Sequence, residues 1–152
     1  MLTKRKNEMN NTSMRENIDE LIKYFWQNGY MTVKRKYGTY LPEPGPIGKY
    51  DVDAVGRLNK KFALGIVITE DDLKDNKIIS KLEFLATRQT KYSNKKVVLF
   101  AGVHPENFAK AKMMIESLSI EAAKNIKLVI LNDKSSSTVS VNRSDFYFKN
   151  FS

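Results

Sequence analysis

The sequence contains no cysteine, so this stretch of chain has no disulfides, thiolate metal ligands or cysteine nucleophiles. It has a single histidine, His104, which precedes Pro105 at a predicted helix start. One histidine cannot supply both a histidine metal cluster and a base for a Ser/His/Asp arrangement. A Walker loop and a dinucleotide-binding glycine pattern are also absent. The remaining candidates for functional residues are therefore carboxylates, lysines and other charged surface residues.

Long apolar runs are missing as well. No run approaches the roughly 18 residues that span a bilayer. The polar, basic residues 1–13 lack the apolar stretch of a secretory signal. We therefore expect a cytoplasmic protein with no membrane partner.

What the sequence does contain is enough apolar material for one core, together with a large positive charge. Hydrophobic residues make up 41% and aromatic residues 11% of the chain. The formal net charge is +9, which favours an anionic partner and above all nucleic acid, with DNA preferred. A merely well-solvated surface is the alternative interpretation. The candidate nucleic-acid-binding residues are Lys34, Arg35, Lys36, Lys49, Lys60 and Lys61.

The spacing of apolar residues predicts a single α/β domain over residues 13–133, after a flexible basic tail at 1–12. A capping box at Ser13 and Glu16 predicts the start of the first helix, and Gly29 its end. The continuous apolar runs 97–101 and 128–131 predict central or near-central strands of a sheet. Residues 134–152 form a tail in which an edge strand is an alternative. The predicted order is helix, three strands, helix, strand, helix, strand, in a mixed sheet flanked by helices.

That order, together with residues 48–56 (GKYDVDAVG), resembles the PD-(D/E)XK nuclease superfamily, also called restriction-endonuclease-like. The resemblance extends to archaeal Holliday-junction resolvases and to Mrr-like and RecB-like domains of that superfamily. The resemblance implies that Asp51 and Asp53 are metal ligands and catalytic residues. It also implies magnesium or manganese as the cofactor of an active enzyme, and it leaves a homodimer open.

The second half of the family motif, an acid and a lysine two residues apart on the next strand, is missing. The acid is expected at Gly65 or Ile66, and the lysine two residues further on. If the hairpin turns at residues 58–59, Asp53 lies opposite Gly65, and Asp51 lies opposite Val67. Carboxylates would hold a divalent cation that polarises the phosphate, and the lysine would stabilise developing charge. The motif is therefore incomplete.

Three functions follow from these observations. The leading hypothesis is a nucleic-acid-binding protein on a nuclease-like scaffold, with weak or absent cleavage. The first alternative is an active metal-dependent DNA endonuclease with a migrated site, in which Glu70 joins the two aspartates and Lys61 or Lys74 supplies the cation. A strand bulge would be needed to bring Glu70 to that site. The second alternative is an interaction or structural subunit with no nucleic-acid role.

Overall fold

The computed structural model describes the backbone of residues 2–88 and 97–132, and side chains from Ser13 onward. The first helix, α1, spans Leu2–Gln27. It therefore runs through Ser13, and the predicted helix start at the capping box is wrong. Residues 3–9 include lysine, arginine, glutamate and methionine, which are good helix formers, with no glycine or proline to stop the helix. The helix thus includes the backbone of residues assigned above to a tail.

The alternation of strands and helices after α1 is as predicted, but two helices stand in each place where the sequence predicted one. Three strands come after α1, then two short helices, a fourth strand, two further helices and a fifth strand. A single 3₁₀ turn, Pro105–Asn107, precedes the fourth helix. The bounds are β1 Met31–Arg35, β2 Ala54–Leu58, β3 Lys61–Val67, α2 Glu70–Leu73, α3 Lys77–Ala86, β4 Val98–Val103, α4 Phe108–Glu116, α5 Ile120–Lys124 and β5 Ile126–Ile130.

The described strands form one five-stranded mixed sheet in the order β1-β2-β3-β4-β5. The first three strands are antiparallel neighbours, whereas β3, β4 and β5 run parallel. The prediction of an α/β protein with a mixed, helix-flanked sheet is confirmed. β4 lies between β3 and β5, so its predicted near-central place is confirmed. The same prediction is not met for β5, which is buried at its carboxyl end but stands last among the described strands. The predicted edge strand at 134–152 lies outside the described residues.

Helices cover both faces of the sheet, and each face has its own apolar cluster. On one face α1 packs through Ile18, Leu21 and Phe25 against Ala54, Ala63, Val67, Phe100 and Val129. On the other face α3, α4 and α5 pack against Leu64, Ile66, Leu99 and Ala101. Successive residues of β3 and β4 alternate between the two clusters, as the two-residue period of a strand requires.

The β2–β3 register differs by one residue from the prediction. Ala54, not Asp53, lies opposite Gly65, and the hairpin closes with Leu58 opposite Lys61. The turn is therefore Asn59-Lys60, with Asn59 in the left-handed region at φ 54°. Asparagine tolerates that conformation better than leucine, which explains why the turn lies one residue later.

Within the described residues, no helix is both long enough and apolar enough to cross a membrane.

Candidate functional site

Asp53 lies where β3 ends, just before β2 begins. Its backbone N–H donates to the carbonyl of Gly65 at 2.8 Å, and its own carbonyl accepts from the Lys36 N–H at 2.9 Å. Its side chain then accepts from the Val67 N–H, through Oδ2 at 2.7 Å. The carboxylate thus occupies the position that a backbone carbonyl would take in a longer β2. Asp53 completes the hydrogen bonding of β3 after the regular strand pairing has stopped.

The second oxygen of this carboxylate faces a lysine. Lys36 Nζ lies 3.7 Å from Asp53 Oδ1, with side chains 28% and 15% exposed respectively. Burial raises the pKa of Asp53 above its ordinary value; the Val67 hydrogen bond and the charges of Lys36 and Lys81 act in the opposite direction, and Asp72 adds to the rise. The structure therefore groups Asp53 with Lys36, Lys81 and Asp72.

The other two predicted catalytic residues, Asp51 and Glu70, do not belong to the group around Asp53. Asp51 is exposed in the loop before β2, and Glu70 is exposed as the first residue of α2. Neither is among the charges that shift the pKa of Asp53. The acid that does act on it, Asp72, accepts from the Thr69 N–H at 2.9 Å in a capping box that starts α2.

The carboxylates of Asp53 and Asp72 are poorly suited to be ligands of a hard divalent cation, because such a cation needs several oxygen ligands. One oxygen of Asp53 and one of Asp72 already accept a hydrogen bond from the backbone. Across residues 13–88 and 97–132, no group of three or more carboxylate, histidine or cysteine side chains is placed to hold a metal ion.

The sheet face that carries Gly65 and Val67 is closed by α1. A Cβ built on Gly65 would lie 2.8 Å from Leu21 Cδ2 and 3.0 Å from Phe25 Cζ. Val67 is buried in the same cluster. An acid at Gly65 and a lysine at Val67 would therefore project into an apolar core, which explains physically why this sequence has neither.

The six predicted nucleic-acid-binding residues do not lie together. Lys34, Arg35, Lys36 and Lys49 belong to β1 and the loop after it, whereas Lys60 and Lys61 belong to the β2–β3 hairpin. The two groups flank opposite ends of β3, which has seven residues and so is about 20 Å long at strand rise. Arg35 and Lys36 also form intramolecular ion pairs, with Asp19 at 2.7 Å and with Asp53 at 3.7 Å.

A second set of cations gathers around the hairpin. Residues distant in sequence meet there because β3, β4 and β5 are parallel and start at the same end of the sheet. The Val97 N–H, just before β4, donates to the Arg88 carbonyl at 2.9 Å, and the Leu99 N–H donates to the Asn125 carbonyl at 3.1 Å. We call this region the basic end and define it by six exposed residues: Arg57, Lys60, Lys61, Arg88, Lys124 and Lys127.

Few acids lie near the basic end, and Glu121, three residues before Lys124 on α5, is one of them. The described segments that form it, residues 26–31, 57–61, 87–88, 97–98 and 123–127, contain no aspartate or glutamate. Within the described part of the chain, none of its six cations forms an ion pair. The acids concentrate at the opposite end, where Asp51 precedes β2 and Glu70, Asp71, Asp72 and Asp75 follow β3.

Comparisons of the chain with protein-family models, with curated proteins and with solved structures found no match.

Sequence reasoning missed Arg57, Arg88, Lys124 and Lys127, as well as the neighbours Lys81 and Asp72 of Asp53. A single arginine or lysine between apolar segments carries no signal of its own. The available signal was positional: Lys124 and Lys127 flank the start of β5, Arg88 follows α3 and precedes β4, and Arg57 lies at the end of β2, next to the turn that leads to the start of β3. Parallel strands bring such starts together at one end of a sheet.

Proposed function

We propose that this protein binds nucleic acid through its basic end, on a nuclease-like scaffold with weak or absent cleavage. The observation that carries the proposal is the gathering of six exposed lysine and arginine side chains at one end of the sheet, with no acid in the segments around them. Segment 89–96, which joins Arg88 to Val97, adds three lysines in sequence.

Exposure and lack of ion pairs make these cations suitable for phosphate contacts. A lysine already held by a carboxylate must give up that partner to bind a phosphate, whereas an exposed lysine without an ion pair needs no such exchange. Binding also displaces counterions condensed on the nucleic acid, which makes the affinity depend steeply on salt. Lys36, by contrast, is occupied by Asp53.

The environment of Asp53 supports the second half of the proposal. A metal on this carboxylate would compete with the Val67 N–H and with Lys36, and displacing either contact would leave a strand-end donor or a partly buried ammonium without that partner. Apolar residues occupy the positions where a nuclease of the resembled family has its acid and lysine. The surroundings of Asp53 therefore favour a structural role for this residue over a catalytic role in phosphoryl transfer.

The binding proposal is tested by removing charge at each end of the molecule. Lys60→Ala with Lys61→Ala is expected to weaken duplex DNA binding and to lower the salt dependence by about 0.9 in log–log slope per lost phosphate contact. Lys74→Ala with Lys77→Ala removes the same charge at the opposite end and serves as the control. Fluorescence anisotropy at several salt concentrations measures both.

If the two double variants weaken DNA binding equally, net charge alone explains the binding, and the basic end has no special role. No binding by the unaltered protein, even at low salt, would favour the interaction subunit instead.

The cleavage proposal needs its own assay. We expect no robust cutting of duplex, single-stranded or branched DNA with magnesium or manganese. If cutting occurs and is abolished by Asp53→Asn or Asp51→Ala in a folded protein, the site is catalytic, and Glu70→Ala then tests whether Glu70 completes it.

A further inference from the structure

Trp26, the sole tryptophan of the chain, is exposed at the basic end. Its side chain is 66% accessible, although tryptophan is usually well covered in folded proteins. It is the penultimate residue of α1 and belongs to residues 26–31, one of the acid-free segments.

The residues just before Trp26 hold its backbone firmly. Tyr24 Oη donates to the carbonyl of Ile130 at 2.7 Å. Phe25 is fully buried, with its ring 5.2 Å from that of Phe100 in an edge-to-face arrangement. The indole therefore projects from a fixed point at the junction of α1 and the sheet.

The residues after Trp26 close the helix in a Schellman motif. The Tyr30 N–H donates to the Phe25 carbonyl at 2.9 Å, and the Gly29 N–H to the Trp26 carbonyl at 3.0 Å. Gly29 has φ 86°, the left-handed conformation that this motif requires at that position. The backbone therefore leaves the helical path shortly after Trp26, and the indole stays exposed.

The end of α1 that carries Trp26 is fixed to the basic end. Lys127 Nζ donates to Asn28 Oδ1 at 3.1 Å, one residue beyond the last residue of α1. An exposed aromatic ring and exposed cations at the same end of a protein are the combination that binds single-stranded nucleic acid, in which a base stacks on the ring while phosphates meet the cations.

We infer that Trp26 is the stacking platform for an unpaired base, and that the basic end therefore prefers single-stranded over duplex nucleic acid. This inference rests on the proposed function. A duplex buries the faces of its internal bases in its own stack, so only a single strand or an unpaired end can offer one to the indole. Stacking tolerates every base, which makes the preference independent of sequence.

The test uses the full chain with oligothymidylate, oligouridylate and a duplex of equal length. Binding of either single strand should quench the fluorescence of the only tryptophan. Trp26→Ala should raise the Kd for single strands about 5- to 150-fold, the effect of losing one stacked base, and leave the duplex Kd nearly unchanged. Tyr40→Ala, at a 95% exposed aromatic near the other end, is the matched control.

The outcomes separate the two proposals. If no nucleic acid binds, the proposed function fails and the inference falls with it. If binding occurs but Trp26→Ala changes neither Kd, or changes both equally, the inference alone is overturned. Self-association that disappears in Trp26→Ala while oligonucleotide affinity persists would assign the indole to a contact between two copies and also overturn it. Oligouridylate and oligothymidylate arms show whether RNA or DNA is preferred.

Discussion

A single carboxylate, that of Asp53, does two things at the end of β3: it accepts the Val67 N–H and it faces Lys36. Burial outweighs both of these stabilising contacts, so that the pKa of Asp53 is raised. Proteins often carry such perturbed groups at functional sites, but ion-pair networks with a structural role perturb pKa values too. The hydrogen-bond pattern of Asp53 favours the structural role.

The raised pKa of Asp53 predicts how stability depends on pH. The folded state holds its proton more tightly than the unfolded state, whose pKa lies near the ordinary value of 3.8. The stabilising contribution of Asp53 is therefore fully present below that value and is lost as pH rises through the higher, folded pKa. Asp53→Asn keeps the acceptor for Val67 without the titration, so the variant should gain stability relative to the unaltered protein as pH rises through this window.

Urea unfolding at a series of pH values measures this difference. Asp51→Asn, which removes an exposed carboxylate two residues earlier, is the control. A difference between Asp53→Asn and the unaltered protein that does not change with pH would mean that Asp53 does not titrate differently on folding.

Gly65 is the second residue whose surroundings decide between function and packing. Because its Cβ position is filled by Leu21 and Phe25, Gly65→Ala should lower the free energy of unfolding by about 1–3 kcal/mol through overpacking. Gly65→Glu with Val67→Lys should abolish folding, since it buries two charges in an apolar cluster. Thermal unfolding followed by circular dichroism measures both variants.

Gly45→Ala provides the control, because no atom lies within 4 Å of a Cβ built on Gly45. A Gly65 and Val67 double variant that folds and binds magnesium would instead show that this face can open to form a site.

At the scale of the elements, Asn125 connects three of them. It ends α5, and its side-chain amide donates to the carbonyls of Ala86, at the end of α3, and Val97, just before β4. Asn125→Ala leaves both part-buried carbonyls without this donor and should cost about 1–3 kcal/mol of unfolding free energy. Asn76→Ala is the matched control, since the Asn76 side chain makes no capping hydrogen bond. Equal midpoints for the two variants in urea would contradict this role.

The elements themselves were largely predictable from the sequence, because apolar runs such as that of β4 and the helical spacing of Ile18, Leu21 and Phe25 reflect burial directly. The hairpin register was not, since it depends on which residue takes the left-handed conformation, and that residue is Asn59. The helix start was missed because a capping-box pattern at Ser13 also fits within a continuous helix. Each error involves a choice between local conformations of similar energy.

At the scale of the whole molecule, the candidate surface was only half predictable. Lys60 and Lys61 were identified because they are adjacent in sequence. Arg88, Lys124 and Lys127 were not, because only the parallel crossovers bring them near the hairpin. Trp26 is of a residue type that can stack on bases, but packing was the favoured interpretation, since an apolar residue on an amphipathic helix predicts burial and its exposure depends on where the sheet ends.

Both signs of charge are present at the end of the sheet where Asp51, Glu70 and Lys74 lie, whereas the described segments of the basic end carry cations alone. This uneven distribution gives the molecule an electric dipole along the strands. In the field of a polyanion, the dipole exerts a torque that turns the hairpin toward the polymer before contact, so fewer encounters begin in the wrong orientation.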